Sequence, residues 1–328
     1  MDKKTALEEF YCKNNIKHEL VSDEDSAEYD YILSNLDDKI DKWLSFVDES
    51  DREAFLQVLS KYTYFTETVC QKRYSIIVDK LIESLKTYGI KLSEVLFITV
   101  ESTNGTKSGS EHICADFYKR NIAKGIHKSQ IISSFSRFDI NLIKNYKAIV
   151  FLEDIVGTGF TLSNTIRTVI KELSIKTNTP NCLLLYAACL VVSKRGKRMI
   201  DKNAQKNSYE IKWLTDEEWK AERMFKKNSL EYNIFQKYES LIDKYIDDEK
   251  HSCFMGFDKC KFGISFHYDT PNNTLSTFWC ETDLNKPPFK RDGNQHKKSL
   301  SIDDLKHVKK QTDTNAYNAA IMRQQKYE

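Results

Sequence analysis

Proline and glycine are scarce in this chain, with 4 and 10 among 328 residues. Residues 1 to 90 hold one glycine, Gly89, and no proline, so that stretch lacks the residues that break helices. The eight cysteines stand singly, with no CxxC pair, which argues against a disulfide framework and suits reduced thiols in a cytosol. Charge of one sign is also missing. Fifty basic side chains against 48 acidic ones leave a net charge of +2, so no global field points to nucleic acid or a membrane. The longest apolar run, Leu183 to Val192, is half of the roughly 20 residues that a membrane-spanning helix needs. The charged start MDKKTALEEFYCKNN lacks the apolar centre of a signal peptide. A cytoplasmic protein with no membrane association is the expectation.

What remains is pattern. Between Val69 and Leu85 the positions Val69, Tyr74, Ile77, Val78, Leu81, Ile82 and Leu85 recur at helical spacing. Residues 1–90 therefore read as an N-terminal helical segment capping a following sheet. From Glu94, the short apolar runs EVLFITV, YKAIVFLE and NCLLLYAACLVV alternate with the helical stretches SGSEHICADFYKRNI and TLSNTIRTVIKEL, and SYEIKWL reads as a further strand. Such alternation predicts an α/β fold with a parallel twisted sheet, and fully apolar strands such as AIVFL predict helices on both faces. Residues 91–215 form this expected core. Residues 216–249 read as helix, with Trp219, Met224, Phe235, Tyr238, Leu241 and Tyr245 as packing positions. KFGISFHYD and TLSTFWCETD read as strands around the turn TPNN, within a C-terminal unit ending near residue 300, and 301–328 as a polar tail.

One stretch, AIVFLEDIVGTGFTL at residues 148–162, carries chemistry. A GxxxxGK[ST] phosphate loop is excluded because no lysine follows Gly159, and a dinucleotide fingerprint because Leu162 stands where its third small residue belongs. No GxSxG or HExxH occurs. In this stretch a strand delivers Glu153 and Asp154 to its carboxyl end, where open α/β sheets bind ligands. Two carboxylates suit the neighbouring 2′ and 3′ hydroxyls of a ribose. Gly157 and Gly159 let the backbone approach an anion, Thr158 and Thr161 add hydroxyls, and the amides from Phe160 onward open a helix whose N-terminus favours a phosphate.

The stretch resembles the phosphoribosyl pyrophosphate (PRPP) motif of type I phosphoribosyltransferases. The resemblance implies a Rossmann-like core with a C-terminal hood, and Mg²⁺ bound with PRPP. It implies displacement of pyrophosphate from the anomeric carbon, with Glu153 and Asp154 as catalytic residues and Gly157, Thr158, Gly159, Phe160 and Thr161 on the 5′-phosphate. Pyrophosphate donors are expected in the loop after LFITV, at Lys107, Ser108, Gly109 and Ser110, where Ser108 and Glu111 have capping-box spacing. NIAKGIHKSQIISSFSRF occupies the place of a flexible loop, with Lys124, His127, Lys128 and Arg137 as candidates and a solvated basic surface as the competing reading. Lys194, Arg195, Lys197 and Arg198 either line the site or face solvent, the second being the favoured reading. Zinc on His251, Cys253, Cys260 and Cys280 is disfavoured by spacing.

GISFHYDTPNNTLSTFW and the following PPFKR, with the KSG loop and EDxxGTG, resemble a specialised phosphoribosyltransferase-like family of bacterial conflict and antiphage systems, including retron loci. That likeness covers most of residues 40 to 291 and implies Asn272, Asn273, Trp279 and Arg291 as acceptor residues of the hood. It implies antiviral defence, with a protein or nucleoprotein partner, and pairing of many relatives as homodimers. Three functions stay open at this point: transfer or cleavage at the ribose, non-catalytic sensing of PRPP or a nucleotide, and a partner-binding regulatory module.

Overall fold

In the computed structural model the described residues are 1–17, 30–100, 108–133, 140–177, 183–216, 218–244, 254–289 and 291. The expected 301–328 tail lies outside them. From Val95 the chain alternates strand and helix as the apolar runs predict. Strands β2 (Val95–Thr99), β3 (Ile131–Ile132), β4 (Ala148–Val156), β5 (Leu184–Val192) and β6 (Lys212–Trp213) make a five-stranded parallel sheet in the order β3-β2-β4-β5-β6. Parallel neighbours require crossovers, and helices α5 (Ser108–Asn121), α6 (Phe160–Thr177) and α7 (Lys194–Lys206) supply them.

Alternation along β4 divides its apolar residues between two cores. Ala148, Val150 and Leu152 pack with helix α4 (Glu67–Lys86) and α5, while Ile149 and Phe151 pack with α6 and α7. Helix α4 begins at Thr66, whose hydroxyl accepts from the Val69 N–H at 3.3 Å. It buries Tyr74, Ile77, Val78, Leu81 and Leu85, the stripe read from sequence.

The first sixty residues depart from the expected sheet cap. Helices α1 (Lys3–Asn14), α2 (Leu36–Leu44) and α3 (Arg52–Ser60) pack with α8 (Leu230–Asp243) and the C-terminal segment in a separate aromatic core. Phe55 stacks on Phe235 at 4.3 Å, and Trp43 meets Phe278 at 4.7 Å. Among the described residues of 1–90, α4 is the helix that covers the main sheet. The two ends of the chain are further joined by a parallel pair, β1 (Thr63–Phe65) with β7 (Ile264–Phe266).

Two other expectations are corrected. TLSTFWCETD is not a strand. Ser276–Phe278 forms a single 3-10 turn, because the buried Glu239 carboxylate and the Trp43 indole take up its backbone groups; β7 pairs with β1 instead of forming a hairpin. The helix read over 216–249 reaches only Leu230–Asp243 among the described residues; before it, Val192 forms a bridge to Lys220 and draws that segment along the sheet edge. Tyr245 lies outside the described residues.

Candidate functional site

Strand β4 is central in the sheet, in register with β2 and β5 from Ala148 onward. Pairing continues past the acidic residues, with Glu153 opposite Cys189 and Val156 opposite Val192. Glu153 and Asp154 thus belong to the strand's last residues rather than to a loop after it, and as consecutive extended residues they project to opposite faces.

Asp154 is partly committed. Its Oδ1 accepts from the Ile155 N–H at 2.6 Å and its Oδ2 from the Tyr268 hydroxyl at 3.2 Å. Burial pushes its ionisation above the ordinary carboxylate range, against the pull of these bonds and of the Arg291 cation. Glu153 is the opposite case. Its Oε2 is fully covered and has no hydrogen-bond partner among the described residues, and burial together with the Asp154 charge pushes it well above the ordinary range.

Beyond Val156 the chain turns into α6. Gly159 has φ +79°, and a Cβ there would lie 2.6 Å from the Gly196 carbonyl oxygen, so the loop requires glycine on both conformational and steric grounds. A Cβ on Gly157 would meet the Asn273 side chain at 2.5 Å. Thr158 Oγ1 accepts from the Phe160 N–H at 3.3 Å, Phe160 is exposed, and Ser163 N–H donates to Gly159 at 3.0 Å as the helix starts. Leu162, Ile166, Val169 and Leu173 anchor α6 to the sheet. The first-turn amides of a helix, here including Thr161, have no partner within it, which suits them to an anion.

A second helix start adjoins the first. Ser193 caps α7 by accepting from the Gly196 N–H at 2.8 Å, and its hydroxyl also donates to the Gly157 carbonyl. Between the two loops lies a hollow of about 290 Å³ whose walls include Gly157, Ser193, Lys194, Arg198, Arg223 and Cys260. Lys194 and Arg198 thus share this hollow with the glycine loop, the less favoured of their two sequence readings. Arg195 pairs with Asp258, and the Lys197 ammonium lies 5.6 Å from the Trp213 ring centre.

The C-terminal segment arrives at the same place. Asn273 is buried, fills the space against Gly157 and donates from Nδ2 to Cys260 Sγ at 3.4 Å, so it shapes the loop. Arg291 donates to the Thr270 carbonyl at 2.7 Å, with its guanidinium 5.5 Å from the Trp279 ring centre. Trp279 is buried, and its indole N–H is spent on the Thr274 carbonyl at 3.0 Å, a packing role. Asn272 accepts from the Phe257 N–H through its backbone carbonyl and is partly open.

The expected flexible loop holds structure that sequence reading missed. Ile131–Ile132 forms the edge strand β3, Lys124 pairs with Asp79 and donates to the Ser75 carbonyl of α4, and His127 and Lys128 are exposed. Arg137 lies outside the described residues. Helix α5 begins at Ser108, the capping position read from the sequence. The Ser108, Gly109 and Ser110 side chains, and Lys107 entirely, lie outside the described residues. Tyr268, Ser193 and Arg223 carried no signal in one sequence, because folding alone sets them beside residues far away in the chain.

The PRTase-CE family model matches residues 40–291, which takes in β4, the glycine loop and the C-terminal segment up to Arg291. No curated protein matches the chain, and no solved structure does. A parallel sheet carrying this acidic pair and glycine loop, matched across most of its length, makes the chain a member of the PRTase-CE family, which is phosphoribosyltransferase-like.

Proposed function

We propose that this chain is a pentosyltransferase that binds PRPP or a nucleotide and transfers or cleaves at the ribose anomeric carbon. The observation that carries the proposal is the buried, unpartnered Glu153 Oε2, one residue from Asp154 and four from a glycine loop that opens a helix. An acceptor kept dry and unpaired costs stability, about 1–3 kcal/mol, and a ribose hydroxyl would complete it. The Gly157–Thr161 backbone would take the 5′-phosphate, as first-turn amides favour anions.

As the bond from the anomeric carbon to its leaving group stretches, positive charge grows on the ribose. Asp154, oriented by the Tyr268 hydroxyl and the Ile155 N–H, is placed to stabilise that charge. Mg²⁺, if bound with PRPP, would supply charge neutralisation for the departing pyrophosphate, and Asp154 beside the glycine loop suits the ribose that would carry such a cation. On the C-terminal likeness we infer a setting in antiphage defence, alone or with a protein or nucleoprotein partner.

The test is incubation with PRPP, Mg²⁺ and a panel of bases and nucleotides, with products followed by mass spectrometry. Turnover is expected, and Asp154→Asn should reduce it by roughly a hundredfold or more. PRPP binding without product, across the panel and with the chain's own partners present, would replace this reading with a sensor.

A further inference from the structure

Three side chains that the ribose chemistry does not use converge behind Asp154. Cys70 lies in the first turns of α4, Asp116 on α5 and His267 directly after β7. Their ligand atoms, Sγ, a carboxylate oxygen and a ring nitrogen, all lie within 4.8 Å of one another. Cys70 and Asp116 are buried, and the His267 side chain is only 16% exposed. His267 Nε2 is 2.8 Å from Asp116 Oδ2, a pair 151 positions apart in sequence, while the His267 N–H donates to the Phe65 carbonyl at 2.9 Å. Each ligand is therefore carried by an element that packing or backbone pairing already fixes.

Purely as packing, this cluster leaves polar groups unspent. Among the described residues the Cys70 thiol has one hydrogen-bond acceptor, the Phe65 carbonyl at 4.0 Å. The Tyr74 hydroxyl, one helical turn beyond Cys70, is completely buried with no hydrogen-bond partner and senses the charges of Asp154, Cys70 and Asp116. A nucleophilic Cys–His–Asp arrangement is disfavoured because Cys70 is 0% exposed, so no substrate reaches its sulfur. A small cation accounts for the whole set.

We propose that Cys70, Asp116 and His267 bind one zinc ion, with a fourth position left for a water that hydrogen-bonds the Tyr74 hydroxyl. A thiolate, an imidazole and a carboxylate are together zinc ligands and unlike the all-oxygen shells of magnesium or calcium. Bonds of about 2.0–2.3 Å at tetrahedral angles put neighbouring ligand atoms roughly 3.3–3.6 Å apart, so the observed cluster closes on the ion with small side-chain shifts. Binding releases the Cys70 thiol proton to solvent. The ion would tie α4 and α5 to the segment that carries Tyr268, and so set the position of the hydroxyl that holds Asp154.

Two measurements test this on the full chain purified without chelator. Mass-spectrometric metal analysis should find about one zinc per chain. Cys70→Ala and His267→Ala should each retain at least tenfold less after dialysis, while Asp154→Asn, whose carboxylate is not a ligand, should retain all of it. Cobalt(II) added to the zinc-stripped wild-type chain should give a thiolate-to-cobalt charge-transfer band in the near ultraviolet, a readout that does not depend on any variant folding. Less than one-tenth equivalent of zinc in the purified protein, together with no such band, would overturn the site. Zinc content reads independently of turnover, so its outcome stands apart from the transferase proposal.

Discussion

Two glutamates with covered carboxylate oxygens live under opposite conditions in this molecule. Glu239, on α8, is wholly buried, and its carboxylate accepts from Met255 N–H at 2.8 Å, Ser276 N–H at 3.1 Å, Ser276 Oγ at 2.7 Å and Thr277 N–H at 2.8 Å. Glu153, at the end of β4, has a covered oxygen that accepts nothing. Burial pushes both ionisations up, but only for Glu239 do donors counter it. The helical lobe spends its buried carboxylate on holding the chain, whereas the carboxyl end of the central strand keeps one in reserve. A folded protein sustains an unpaired buried acceptor only where the rest of the structure outweighs its cost, which marks ligand sites.

The sharpest break in that comparison comes from Glu239→Ala. It strands three backbone donors and leaves a cavity, so it should cost about 3–5 kcal/mol by chemical denaturation. A loss below about 1 kcal/mol would mean that the 276–278 turn finds other acceptors and that Glu239 is not its organiser. Next comes Gly159→Ala, at about 2–3 kcal/mol, since the side chain is strained at φ +79° and meets the Gly196 carbonyl. Loss of anion binding in that variant follows from distortion as readily as from a missing contact. Thr161→Val is the cleaner probe: stability should stay within about 0.5 kcal/mol while PRPP affinity falls, and unchanged affinity would move the phosphate elsewhere.

The two lobes also differ in how much of them one sequence discloses. The parallel sheet was readable because strands buried on both faces are continuous apolar runs, and β4 with its acid pair and glycines was readable because sheet, turn and helix N-terminus follow each other along the chain. The aromatic lobe was not, since Phe55 and Phe235, or Thr63 and Ile264, meet only after folding. Three-residue strands such as β1 give too few periods to register, and TLSTFW mimics a strand until Glu239 and Trp43 claim its backbone. At the site, Asn273 braces Gly157 and Arg291 sits on the Thr270 carbonyl, while Tyr268, the partner of Asp154, had no local signal. The Cys70–Asp116–His267 cluster was invisible for the same reason: its ligands come from three elements scattered along the chain.

Glu153→Gln sharpens the comparison from the other side. Because burial raises the folded-state ionisation of Glu153, the native chain holds a proton that the unfolded chain has already released, and stability is lost as pH rises through the folded value. Replacing the carboxyl should therefore stabilise the protein by about 1 kcal/mol near neutral pH and by less under acidic conditions, with ribose chemistry lost. Thermal melts at both pH values check the sign; equal stabilisation at both would show that Glu153 does not titrate abnormally.

The smallest expected effect concerns Arg291. Its cation is the one charge that pulls Asp154 back toward ionisation against burial, and it sits on the Thr270 carbonyl rather than in direct contact with the carboxylate. Arg291→Gln keeps a donor for that carbonyl while removing the charge, so the fold should hold and Asp154 should become harder to ionise. The chemistry assigned to Asp154 needs its carboxylate, so the acidic limb of the pH–rate profile should move to higher pH, with a loss of a few-fold on that limb and almost none on the alkaline side. A uniform loss at all pH values would instead make Arg291 a direct contact of the substrate.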